Sequence, residues 1–156
     1  MTGEQIYPIG STFQLDREGT NACFGCGPQN PDGLRLEFTR LGVTTIENRK
    51  LLDPMFSSID GLVHGGIITS LIDETSGVAA QMALEDPATQ IVVTAELNIR
   101  FRRPVPIAEE LVTRAELVRV DGPDLYVDAT MRTISGDTDL AVASSRWRRL
   151  PTQTGS

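Results

Sequence analysis

The stretch "GLVHGGIITSLIDETSGVAA", Gly61 to Ala80, decides how this chain folds. It contains the single histidine of the 156 residues, then two glycines, then an apolar run that carries Asp73. Projected at about 100° per residue, the run separates into two faces. Ile67, Ile68, Leu71, Ile72, Val78, Ala79, Met82 and Ala83 fall on one broad side, which must be buried. Gly66, Thr69, Ser70, Asp73, Ser76, Gly77 and Ala80 form a narrow opposite stripe, small throughout except at Asp73. A stripe facing water would carry Lys, Glu and Gln, so this one is expected to meet another backbone or a slender ligand. The helix is expected from about residue 65 to residue 83, with Glu74 at the edge between stripes, meeting water or an Arg.

Outward from the helix, the chain reads as strands and turns. On the N-terminal side, "LRLEF" alternates as a half-buried strand does, and "VTTIENR" is its expected hairpin partner. On the C-terminal side, "QIVVTAELNIRFRRP" is a long strand stopped by Pro104. "ELVTRAELVRV" and "DLYVDATMRTI" flank the turn "DGP", and "DLAVASSRWRRL" follows "SGDT". One oily helix among antiparallel strands is an α+β fold in which a curved sheet wraps the helix. The length suits one domain. We expect an N-terminal arm over 1–22, the domain over 23–150 and a frayed tail over 151–156.

Composition excludes several classes. The hydrophobic share is 40%, and no apolar run could cross a bilayer. The first twenty residues lack the basic and apolar regions of a secretory signal, so a cytoplasmic location is expected. The net charge of −7 argues against nucleic acid as a partner. Thirteen of the fourteen basic residues are Arg, six of them in "RFRR" (Arg100, Arg102, Arg103) and "RWRR" (Arg146, Arg148, Arg149). Such clusters either hold a small phosphorylated ligand or are solvated strand ends. Cys23 and Cys26, in "CFGCG", have half of a zinc-site spacing but no second pair, so they are expected to be structural thiols. No metal or resident cofactor is expected.

Two features of the helix suggest chemistry. Asp73 lies in a confined stripe, where a carboxylate is costly unless it has a partner or a use. It either fixes packing through a backbone hydrogen bond or reacts. His64-Gly65-Gly66 opens the helix with amides that have no intrahelical acceptor and carry the positive end of the dipole, as an oxyanion hole requires. Gly65 and Asp73 are eight residues apart, about 12 Å along the axis. A donor and an attacking group must each lie within about 3–3.5 Å of one carbonyl. One helix cannot supply both, whereas two antiparallel helices can. A twofold dimer with shared sites is expected, or a dimer of dimers.

"GLVHGGIITSLIDETSG" with "TAELNIRFRRPVP", led by "CFGCGPQNPDGLRLEF", resembles the hotdog-fold acyl-CoA thioesterases, in particular the PaaI-type branch of the 4-hydroxybenzoyl-CoA thioesterase superfamily. The likeness runs from about Cys23 to Arg149. It implies subunits paired sheet edge to edge and hydrolysis of an acyl-CoA or acyl-carrier thioester. It also implies that Asp73 attacks the thioester or activates water, that the Gly65 amide is the oxyanion donor, and that His64 positions the thioester. Thr94 falls where relatives carry a hydroxyl near the catalytic water. Ser58 stands where many relatives carry a longer Asn, Asp or Gln. Strict alternation puts Thr94 on one strand face with Glu96 and Asn98. Gly66, Ser58, Asn98, Arg102, Arg103 and Arg148 are the candidate substrate contacts. The alternatives on the same fold are a non-catalytic acyl-CoA binding or sensing protein and an enoyl-thioester hydratase or dehydratase.

Overall fold

A computed structural model describes residues 6–16, 18–87 and 89–151. The helix expected on the stretch around His64 is α1, Gly65–Gln81. Around it lie strands β1 (Thr12–Phe13), β2 (Phe38–Arg40), β3 (Thr45–Lys50), β4 (Val92–Phe101), β5 (Leu111–Asp121), β6 (Asp124–Thr133) and β7 (Ala141–Arg149). They form one sheet in the order β1-β2-β3-β5-β6-β7-β4, and every pairing is antiparallel. This is the hotdog architecture, a single long helix held in a curved antiparallel sheet.

Glycines at 65, 66 and 77 make α1 a poor helix on propensity alone. Burial compensates: Ile68, Leu71, Ile72, Val78 and Ala79 pack into a core with Phe38, Ile46, Leu111, Leu125, Val127 and Met131. The hairpin turn at Asp121-Gly122-Pro123 works because Gly122 takes φ +59, where a side chain would be strained. Arg40, 1% exposed, donates to the carbonyls of Tyr7, Gly42 and Val43, tying the segment before β1 to the β2–β3 turn. Glu47, also buried, is held by Arg114 at 2.7 Å and Arg49 at 2.8 Å. Burial alone would raise its pKa, but these two guanidinium groups outweigh it and the net shift is downward.

Two sequence expectations need correction. In "LRLEF" Leu34, Leu36 and Phe38 are buried as alternation required, but the strand begins only at Phe38. The Leu34 and Leu36 amides donate instead to the carbonyls of Phe24 and Gly25, so this segment docks against the cysteine turn. The small stripe of α1 is not open along its length. Ser76 and Ala80 are buried, and Gly77 faces the Trp147 ring, 2.8 Å from where a Cβ would sit. An inward side chain from β7 fills that half, which no pattern local to the helix could show. Residues 1–5 of the expected arm and residues 152–156 of the expected tail lie outside the described residues.

Candidate active site

The open half of the stripe runs from the His64 turn to Asp73. His64 is the N-cap of α1, and its Nδ1 accepts a hydrogen bond from the Gly66 amide at 2.9 Å. In a neutral imidazole that acceptor places the proton on Nε2, which faces outward as a donor. The Gly65 amide has no acceptor among the described residues, and a Cβ on Gly65 would meet nothing within 4 Å. Thr69 and Ser70 turn their hydroxyls back onto the Gly65 and Gly66 carbonyls, each at 2.9 Å, and so do not compete for that amide.

Asp73 is half-buried, and its Oδ1 accepts from Thr94 Oγ1 on β4 at 2.9 Å. Burial raises its pKa, and the Thr94 hydrogen bond opposes that rise without cancelling it. The pair opens into a cleft of about 430 Å³, walled by Leu15, Gly77, Val78, Val92 and Trp147. Trp147 is fixed by its Nε1 donating to Ser145 Oγ at 2.9 Å. Leu15 and Trp147 were not among the residues singled out from the sequence; Trp147, a lone aromatic in an arginine run, carried no helical signal.

A bulge explains how Thr94 reaches Asp73. In the register of β4 on β7, Thr94 is opposite Trp147 and Glu96 is opposite Arg146, which leaves Ala95 extra. The insertion reverses which residues point inward. Thr94, Leu97, Ile99 and Phe101 share the helix-facing side, opposite Trp147, Ser145, Ala143 and Ala141. Glu96, Asn98 and Arg100 point to the other face. Asn98 therefore does not stand beside Thr94, as strict alternation required, and instead lines an outer cleft with Arg100, Arg102 and Ser144.

The remaining candidates separate. Ser58 is exposed, and its Oγ reaches only the Leu62 carbonyl, at 3.5 Å. Arg102 and Arg103 both donate their backbone amides to Leu140, and the chain just beyond returns to the helix entry through Val63 to Val105 at 2.9 Å. Both guanidinium groups are exposed and have no ion pair among the described residues. Arg148 is gripped by both Asp124 carboxylate oxygens, at 2.8 and 2.9 Å, so it is already committed. Glu74 has no ion pair with an Arg among the described residues; Cys23 Sγ donates to its Oε1 at 3.4 Å.

With this geometry in view, the family is clear. The model of the thioesterase superfamily matches residues 60–139, from the turn before His64 to the end of β6 and beyond. The chain belongs to that superfamily and has its hotdog fold. It is 30% identical over 92 residues to the acyl-coenzyme A thioesterase THEM4 of Mus musculus, covering 59% of this chain and 37% of that one. The chain thus spans less than half the length of that curated relative. The PaaI protein of the E. coli phenylacetic acid degradation operon superposes with a TM-score of 0.67 at 15% identity, over 76% of this chain and 82% of its own, a likeness of fold alone. A Bacillus halodurans protein solved with CoA superposes with a TM-score of 0.61 at 28% identity, over 67% of this chain and 66% of that one. Among the described residues no helix is long and apolar enough to cross a membrane.

Proposed function

We propose that this chain hydrolyses an acyl-CoA or acyl-carrier thioester at a site shared between two copies. The carrying observation is the Asp73–Thr94 pair at 2.9 Å, set in an apolar-walled cleft. A half-buried carboxylate with a raised pKa and one orienting hydroxyl suits a general base or nucleophile. The bare Gly65 amide, at the positive end of α1, donates to the carbonyl oxygen as charge develops on it. Outward-facing His64 Nε2 steadies the same thioester.

Support for the shared site comes from distance and from β4. Gly65 and Asp73 remain eight residues apart on one straight rod, about 12 Å, so the amide of one copy must serve the acid of the other. Strand β4 lies at the sheet edge, pairing only with β7 among the described strands. It leaves Val93 and Phe101 exposed, Phe101 at 55%. An uncovered edge with apolar side chains is what edge-to-edge pairing would cover. Arg102 and Arg103 bind the CoA phosphates in this reading, which their exposure and lack of ion pairs among the described residues support.

The test is thiol release from a panel of acyl-CoA esters with the parent chain and Asp73→Asn. Loss of turnover with folding intact is expected. Unchanged turnover in the variant would remove Asp73 from the mechanism, and binding without any release by the parent would favour a sensing protein.

A further inference from the structure

Three ligand-type side chains meet beside α1 at the margin of the cleft, whose wall Glu74 shares with Asp73. Cys23 and Cys26 come from the turn after β1, and Glu74 comes from the helix; their sulfur and carboxylate atoms all lie within 4.8 Å of one another. The turn is held from several sides. Its Gly27 amide donates to the Cys23 carbonyl at 3.0 Å, and Leu34 and Leu36 donate to Phe24 and Gly25. A Cβ on Gly25 would lie 2.2 Å from Glu74 Cγ, and one on Gly27 would lie 2.3 Å from the Cys23 nitrogen. Both glycines are thus required for the cysteines to approach the helix so closely.

We propose that Cys23, Cys26 and Glu74 bind a Zn²⁺ ion that fastens the N-terminal turn to the central helix. Two sulfurs and a carboxylate oxygen form a donor set that zinc accepts, with water in the fourth position. From the spacing alone the two thiols lacked a third ligand; the fold provides it. Asn21 Nδ2 points at Cys26 Sγ, 3.7 Å away, as an outer donor to a thiolate would. Among the described residues Glu74 has no basic partner. Without a cation, burial and the Glu74 carboxylate push the Cys26 thiol strongly upward and keep it protonated. A dication inverts that balance: each thiol loses its proton to solvent as a Zn–S bond forms, and no electrons are transferred. Zn–S bonds of about 2.3 Å and a Zn–O bond of about 2.0–2.2 Å require the three atoms to draw together by up to about 1 Å. Asp73, the preceding residue, is engaged by Thr94 and is not among the ligands, although Glu74 borders the same cleft.

The experiment uses the full chain, reduced, stripped with a chelator and titrated with CoCl₂ and then ZnCl₂. One Co²⁺ per chain should bind with an intense near-ultraviolet thiolate-to-metal band that one equivalent of Zn²⁺ abolishes. Zinc should also raise Tm of the stripped chain and release protons. The band should be lost in Cys23→Ser/Cys26→Ser, and Glu74→Gln should bind Co²⁺ at least about tenfold more weakly, since a neutral amide is a poor ligand. A titration showing only the weak spectrum of aquated Co²⁺ overturns the site. So does Co²⁺ affinity in Glu74→Gln equal to that of the parent, a result that stands even if the serine variant does not fold.

Discussion

Asp73 joins two consequences of one burial. The raised pKa means that the folded chain binds this proton more tightly than the unfolded chain does. Stability from this group is therefore full below the ordinary carboxylate range and is lost as pH rises through the raised value. Asp73→Asn should abolish hydrolysis, lowering kcat/KM by about 10²–10⁴, while Tm at neutral pH stays equal or rises. Steady-state assay and thermal melts check both, and a large fall in Tm would show instead that the carboxylate is a structural keystone. Thr94 opposes the upward shift, so its removal should push the carboxyl further up. In Thr94→Val the acidic limb of the kcat/KM–pH profile should move to higher pH. A limb that stays put, or moves down, would remove Asp73 as the titrating base. None of this depended on recognising Thr94 as inward-facing from its own neighbours; the bulge at Ala95 decided that.

At the scale of elements, α1 is shaped by what the sheet sends toward it. Gly77 costs helix propensity, about 1 kcal/mol against Ala, yet the Trp147 ring occupies the space a Cβ would need. The ring is pinned through Ser145 and cannot swing away freely. Overpacking of about 1–3 kcal/mol should exceed the propensity gain. Gly77→Ala should therefore lower stability by about 1 kcal/mol, measured by denaturant midpoint. It should also narrow the cleft and reduce kcat/KM more for bulky acyl esters than for acetyl-CoA. Equal or higher stability would mean that Trp147 yields easily. The helix and the five longer strands were legible from periodicity, because burial of one face imposes it. The pairing of Leu34 and Leu36 with the cysteine turn was not, because both partners are irregular segments.

For the whole molecule, the separation of Gly65 from Asp73 makes a demanding prediction. Gly65→Pro removes the amide proton at the first helical position, where proline is tolerated. The preceding His64 is already extended, with ψ 134, as a residue before proline must be. That variant should fold and lose about 10²–10³ in kcat. Mixed in equal amounts with Asp73→Asn and allowed to exchange subunits, it should recover about a quarter of parental activity. Half the dimers are then mixed, and one of the two sites in each is intact. Activity that stays at the sum of the two parents would place the amide and the acid within one chain and dispose of the shared site.

By itself the sequence determined that one long helix is buried by strands, that a carboxylate lies on its sparse face, and that an amide cradle opens it. These follow from periodicities and end effects that act over a few residues. The tertiary structure alone decided which half of that face stays open, because Trp147 arrives from 70 residues away in the chain. It also turned Thr94 inward through a one-residue bulge and set Glu74 against two cysteines. Such contacts join segments whose spacing in the chain carries no period, and only packing brings them together.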